Sequence, residues 1–202
     1  MNKTIYLIRH GETDSKKLGV FQAHGTPLSN KGVRQVSARG VYFSDRDIPR
    51  IESSPIKRAL QSATIIGDYI KVNPSINRAL QEIKNPLEIQ GLPYTDSAAD
   101  IKYRAWLSKL KNTEGLGSEE EENYLDLLNR TSELLNSWEE SSYNKIIAVS
   151  HSVTIRSIVA LVLCNREVSK RSINMIEKLK IDNCGIVVIT HSSDGWLVSI
   201  EN

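Results

Sequence analysis

Apolar residues run almost without a break from Thr4 to Arg9 (TIYLIR) and again from Lys145 to Ser150 (KIIAVS). Short continuous runs of this kind suit strands buried on both faces. Between them the period lengthens. Ser29 is an N-cap candidate, and Val33, Val36, Gly40 and Phe43 then recur at helical spacing, which predicts an amphipathic helix to about Phe43. Arg50 to Ser53 is a short strand candidate. Pro55 stands where a first-turn proline belongs, ahead of a helix to about Lys71 whose inner face carries Ala59, Ala63, Ile66 and Ile70.

Pro74 to Glu82 reads as an extended segment. From Ile83 to Gly117 the patterning deteriorates, and Pro86, Gly91, Pro93, Gly115 and Gly117 punctuate one weak helix near Ala98 to Leu110. This stretch is expected to be an excursion, or lid, above the core. Ser118 followed by Glu121 has the form of a capping box and opens a predicted helix to about Glu140, striped by Tyr124, Leu127, Leu128, Leu134, Leu135 and Trp138. On that reading the acidic run Glu119 to Glu122 lies at a helix N-terminus, where the macrodipole favours negative charge. A helix from Ser152 to about Cys164 follows the KIIAVS strand. Ile186 to His191 and Trp196 to Ile200 then form a hairpin turned at Ser193-Asp194-Gly195. Strands alternating with helices predict an α/β fold, a three-layer α/β/α sandwich with a mostly parallel central sheet. With no repeat and no linker, residues 1–202 are expected to form one domain.

Composition narrows the class without changing this picture. At 40% hydrophobic and 25% charged residues the chain is neither disordered nor fibrous. Neither Ile5 to Ile8 nor Ile158 to Cys164 is long enough for a signal-peptide core or a membrane span, so a soluble, cytoplasmic protein without membrane contacts is expected. Cys164 and Cys184 form no metal-binding or disulfide pattern and are expected to be buried small hydrophobes. The net charge of +2 is unevenly spread: residues 1–111 carry 18 Lys and Arg against 10 Asp and Glu, and residues 112–202 carry 8 against 14. A basic N-terminal half can collect phosphate groups. The near-zero total argues against a dedicated nucleic-acid binder.

The candidate chemistry lies at strand ends. His10 and His151 each directly follow a predicted buried strand, and ligand sites of open α/β sheets gather at the C-terminal ends of their strands. Both imidazoles are therefore expected to face one cleft. Arg9 adjoins the first, and Arg58 lies in the opening turns of the helix behind Pro55. Guanidinium donors match phosphate oxygens bidentately, so these four residues make a good oxyanion cradle and a poor apolar core. His24 and His191 are read as ordinary loop or core residues. No metal site is expected, since no HxH or HxxxH spacing occurs and an arginine beside a ligand would repel a cation.

The segment Leu7-Ile8-Arg9-His10-Gly11-Glu12-Thr13 resembles the signature of the histidine phosphatase superfamily, also called the phosphoglycerate mutase-like family. The resemblance continues through Gln22, Pro27-Leu28-Ser29 with Gly32 and Gln35, Ser53-Ser54-Pro55 with Arg58-Ala59, and Gln61-Ser62-Ala63. It resumes at Leu80 with Glu82, at Gly117-Ser118-Glu119, and at Val149-Ser150-His151 with Ile155-Arg156. These ordered blocks cover nearly the whole chain.

The resemblance implies a phosphoglycerate mutase-like domain in which His10 is the nucleophile that becomes a phosphohistidine, and Arg9, Arg58 and His151 hold the phosphoryl oxygens. It implies that Glu82 donates the proton to the leaving oxygen, with a carboxyl pKa raised for that task. It implies no cofactor and no metal. Thr13, Lys16, Gln22 and Ser152 are the expected substrate-binding residues: Lys16 stands where the family usually has Asn, and Ser152 where Gly is common. After Glu82 the usual Trp-Glu-Gly stretch is replaced by Ile83 to Gly91 (IKNPLEIQG), which leaves Glu88 open as an alternative acid. The expected function is a metal-independent phosphomonoester hydrolase, or phosphatase, acting on a small phosphorylated metabolite. Phosphoglycerate mutase-type transfer and a non-catalytic phosphate-binding module are the alternatives, and a homodimer is left open.

Overall fold

The computed structural model describes residues 2–112 and 114–199. Its elements, in chain order, are β1 (Lys3–Arg9), α1 (Ser15–Leu18), α2 (Asn30–Phe43), β2 (Arg50–Ser53), α3 (Lys57–Ile70) and β3 (Ser75–Ile76). There follow α4 (Ser97–Lys109), α5 (Tyr124–Glu140), β4 (Lys145–Ser150), α6 (Ser152–Leu163), α7 (Lys170–Lys178), β5 (Ile186–Ser192) and β6 (Gly195–Ser199). The strands make one six-stranded sheet of order β3-β2-β4-β1-β5-β6. Strands β1 to β4 pair in parallel, while β5 runs antiparallel to both β1 and β6.

The period of two along β1 divides the core. Ile5 and Leu7 face one side with Ile146, Ala148 and Ile189, where α5, α6 and α7 cover them. Tyr6 and Ile8 face the other with Ile147 and Val149, under α2 and α3. Each fully buried Ile or Leu contributes roughly 1.5–3 kcal/mol relative to exposure, so a central strand slipped by one residue would forfeit both faces at once. The result is the predicted three-layer α/β/α arrangement with a mostly parallel sheet. No helix among the described residues is long and apolar enough to cross a membrane.

Several boundaries differ from the sequence reading. The long helix α5 begins at Tyr124, because Asn123 and Asp126 form the capping box that Ser118 and Glu121 were expected to supply. The Ser118 Oγ accepts instead from the N–H groups of Glu120 and Glu121 in an ordinary turn. The acidic run therefore precedes the helix, and Glu122 is turned inward against Arg130. On α2 the buried face uses Gly32, Val36, Gly40 and Phe43, and Val33 is exposed. Most of the extended segment predicted to Glu82 is a two-residue strand followed by a 3-10 turn at Arg78–Leu80. Helix α7 is absent from the sequence reading; Ser169 and Ser172 cap it, and Ile173 and Ile176 anchor it in the core with Met175 packed beside them. The predicted hairpin is present, but Ile200, its last expected residue, lies outside the described residues.

The excursion from Ile83 to Gly117 carries α4 close to where it was predicted. Phe21 from the opposite loop packs with Ile89, Ala99 and Tyr103, and Val20 bridges to Pro93. The lid is thereby tied to the loop that follows β1.

Candidate active site

Parallel strands β1 and β4 are neighbours in register, with Arg9 opposite Ser150. Their next residues, His10 and His151, consequently emerge side by side at the C-terminal edge of the sheet, with ring centroids 5.1 Å apart. Both are buried, His10 at 3% and His151 at 0% exposure. Arg58, on the first turn of α3, donates from Nε to His10 Nε2 at 3.2 Å. His10 Nδ1 lies 2.7 Å from the Gly11 carbonyl oxygen, which can only accept. Nδ1 therefore carries the proton, and the Nε2 lone pair is left for a donor or an electrophile.

A web of main-chain and side-chain bonds fixes this imidazole. The Gly11 N–H donates to Ser62 Oγ, and the Glu12 N–H to Gln35 Oε1. The Glu12 carbonyl accepts from the Ser29 N–H and hydroxyl, and Ser29 also caps α2 through the Gly32 N–H. Gln61 takes the Leu28 N–H. The loop lies so close on α2 that a Cβ at Gly32 would come within 2.1 Å of the Glu12 carbonyl oxygen. The sequence blocks around Gly32, Gln35 and Gln61-Ser62 thus hold the loop that presents His10.

Burial sets the protonation states. His10 is pushed down to about 3, first by desolvation and then by the Arg58 charge. His151 is lowered well below its ordinary value for the same two reasons. Burial also brings the Arg58 guanidinium down to about 10, partly opposed by Glu82. Burial likewise lowers Arg9, again against the attraction of Glu82. Two neutral imidazoles beside two cations form a site short of negative charge.

Glu82 caps the start of α6, its carboxylate accepting from the N–H groups of Val153 and Thr154 and from the Thr154 hydroxyl. His151 Nε2 meets Ser54 Oγ at 2.8 Å, and its Nδ1 is buried without a partner. In front of His10 opens a cleft of about 600 Å³ whose lining includes Arg9, Thr13, Lys16, Gln22, Tyr94 and Asn183. Gln22 Nε2 donates to Thr13 Oγ1 at 2.6 Å, linking two of the predicted substrate-binding residues. Ser152 opens α6 beside His151 and, like Arg58, Glu82 and His151 themselves, stands behind the residues that line this cleft. Glu88, the alternative acid, is an exposed side chain 3.6 Å from Lys102 of α4, whereas Glu82 sits on the start of α6 next to His151.

Asn183 was missed by the sequence reading. Its Nδ2 donates to the His10 carbonyl, and Arg9 reaches the neighbouring Ile181 carbonyl at 2.7 Å. The signal was present in the topology: a strand antiparallel to β1 must enter the sheet at the end where β1 leaves it, so the loop before β5 had to border the site. Ser54 and Tyr94 were also missed as site residues, the first because it is one member of a serine pair, the second because it belongs to the poorly patterned lid. Cys164 and Cys184 are both buried, as expected, and burial pushes the Cys184 thiol up to about 11. His191 lies on β5 against Trp196, outside the site, and the His24 side chain does not line the cleft.

An imidazole with a free lone pair, a second imidazole, two guanidinium groups and a carboxylate over a helix N-terminus thus stand together at the end of the parallel strands of an α/β fold. The family model for the histidine phosphatase superfamily (branch 1) matches residues 5–202, and the chain belongs to that superfamily. A protein of Proteus mirabilis named "Probable phosphoglycerate mutase GpmB" is 26% identical over 199 residues, covering 96% of this chain and 88% of its own. The alpha-ribazole phosphatase from Shigella flexneri superposes with a TM-score of 0.82 at 19% identity, covering 98% of this chain and 96% of that one. Mycobacterial glucosyl-3-phosphoglycerate phosphatase gives a TM-score of 0.78 at 20% identity, covering 100% and 99%.

Proposed function

We propose that this protein is a phosphomonoester hydrolase that acts, without a metal, through a phosphohistidine at His10 on a small phosphorylated metabolite. The observation that carries the reading is the locked tautomer of His10. With Nδ1–H held by the Gly11 carbonyl, Nε2 attacks phosphorus in line and forms the P–N bond. The ester P–O bond breaks, its electron pair goes to the leaving oxygen, and Glu82 gives that oxygen a proton. Water then attacks the phosphohistidine, Glu82 takes its proton, the P–N bond breaks and inorganic phosphate leaves.

Arg9 and Arg58 supply the positive charge that stabilises the phosphoryl oxygens through the transition state. Ser54 Oγ already accepts the Ile56 N–H; with its own hydroxyl proton given to His151 Nε2, 2.8 Å away, the unpartnered Nδ1 of His151 carries the proton that bonds a third oxygen. Thr13, Lys16 and Gln22 contact the rest of the substrate from the cleft wall, and the Ser152 hydroxyl, next to His151, donates to a phosphate oxygen. The cleft suits a small ester.

The test is turnover of p-nitrophenyl phosphate by EDTA-treated protein, beside His10→Ala. Hydrolysis that persists in EDTA and vanishes in the variant supports the reading; full activity of the variant refutes it. The sequence relative named a phosphoglycerate mutase favours a second reading, transfer of the phosphoryl group between hydroxyls of one substrate. Isomerisation of 3-phosphoglycerate without phosphate release would select it. Phosphate binding without turnover on any ester would leave the non-catalytic module.

A further inference from the structure

The Glu82 carboxylate rests on the first amides of α6, but its backbone, between a 3-10 turn and the lid, belongs to no strand or helix that would fix where the side chain starts. One buried ion pair grips it on both sides. Arg130, on α5, donates from Nη1 to the carbonyl oxygens of Ala79 and Gln81, at 2.6 and 3.2 Å. Its Nε and Nη2 engage the Glu122 carboxylate in a fork at 2.9 and 2.8 Å. The same carboxylate accepts the Lys84 N–H at 3.1 Å, and the Glu122 N–H returns a bond to the Lys84 carbonyl at 2.9 Å. The residue before Glu82 and the residue two after it are thus fastened to one another through a single Arg–Glu pair.

The pair is 17% and 7% exposed on its two side chains. A buried ion pair is a poor way to stabilise a fold, because desolvation offsets most of the attraction and apolar side chains of similar volume do as well. What apolar residues cannot do is satisfy two carbonyls and an amide while fixing the distance between them. The Glu122 carbonyl also accepts from Trp106 Nε1 on α4, at 3.0 Å. The lid helix, the Arg–Glu pair and the Glu82 segment therefore form one hydrogen-bonded body.

We infer that Arg130 and Glu122 are positioning residues for Glu82, setting where its carboxyl group stands relative to the leaving oxygen and coupling that placement to the lid. The inference rests on the proposed role of Glu82 as the proton donor. Proton transfer demands hydrogen-bond reach, so a carboxyl that drifts by an ångström loses rate only where the leaving oxygen needs the proton. A tether serving stability alone would slow all substrates alike.

The experiment measures kcat and KM of full-length Arg130→Met, Arg130→Lys, Glu122→Gln and Glu82→Gln on p-nitrophenyl phosphate and on glycerol 2-phosphate. Arg130→Met is expected to lower kcat on glycerol 2-phosphate by about tenfold to a hundredfold and on p-nitrophenyl phosphate by less than about threefold, since that leaving group hardly needs a proton. KM should stay level for both. Arg130→Lys, which keeps the charge and loses the fork, should fall between. Glu122→Gln keeps volume and one acceptor oxygen, and shows the same selectivity should Arg130→Met fail to fold. Adding Arg130→Met to Glu82→Gln should cost nothing further. Equal losses on both substrates, or full additivity with Glu82→Gln, overturn the positioning role. If Glu82→Gln itself slows both substrates equally, the acid assignment fails and the inference falls with it.

Discussion

The burial of His10 has a consequence for stability that can be worked out from the structure. In the unfolded chain its imidazole titrates near 6.5, and in the folded protein it is pushed down to about 3. Between those values the unfolded state binds a proton that the folded state refuses, so stability is fully present above 6.5 and is lost as the pH falls below it. For one such group the loss between pH 7 and pH 4.5 is about 2.5 kcal/mol, from 1.36 kcal/mol per pH unit once protonation of the unfolded state sets in. His151 adds to the loss in the same direction. The perturbation is His10→Asn, whose amide can keep a donor to the Gly11 carbonyl and which does not titrate. Urea denaturation of both proteins at pH 7 and pH 4.5, at one ionic strength, gives the comparison. Titrating groups away from His10 contribute alike to both proteins and cancel, and His151 stays buried beside Arg58 in both. The wild-type protein is expected to lose about 2.5 kcal/mol more than the variant over that interval. Equal losses would mean that His10 is protonated in the fold near its ordinary pH, and the neutral, Arg58-bonded nucleophile would be wrong.

Other expectations follow from the same geometry. Glu82→Gln should lower kcat on glycerol 2-phosphate by about 10²-fold or more and on p-nitrophenyl phosphate far less, whereas Glu88→Gln, on the exposed Lys102 pair, should leave both rates unchanged; a larger effect of Glu88→Gln would reverse the assignment of the acid. Gly32→Ala places a methyl group 2.1 Å from the Glu12 carbonyl oxygen, which must push the His10 loop off α2; a stability loss of about 1–3 kcal/mol is expected together with a fall in kcat, and a variant with wild-type stability and kcat would show that this contact does not set the loop.

The parts of the fold that were legible in the sequence are those where one physical signal dominates. Continuous apolar runs ending at His10 and His151 mark two central strands, and the rule that ligand sites gather at strand ends is enough to bring the two histidines together. Arg58 was legible because Pro55 marks the start of its helix. Where two signals competed, the reading failed. Two capping boxes lie five residues apart before α5, and only burial of Asn123 beside the inward-turned Glu122 decides between them. Helix α7 is only nine residues long and mostly polar, so its apolar stripe, Ile173 and Ile176, has no room to repeat along the sequence. Asn183 and the Glu122–Arg130 pair act through main-chain groups distant in sequence. No local pattern encodes such partners.

The most direct test of the central claim is to trap the intermediate. Protein mixed with a ³²P-labelled monoester and quenched in alkali within the first turnovers should carry label on one histidine, stable to base and lost in acid, and peptide mapping should put it on the peptide containing His10. His10→Asn should carry none. Label on another residue, or rapid hydrolysis by the wild-type protein with no protein-bound phosphate and undiminished turnover in His10→Asn, would contradict the phosphohistidine account.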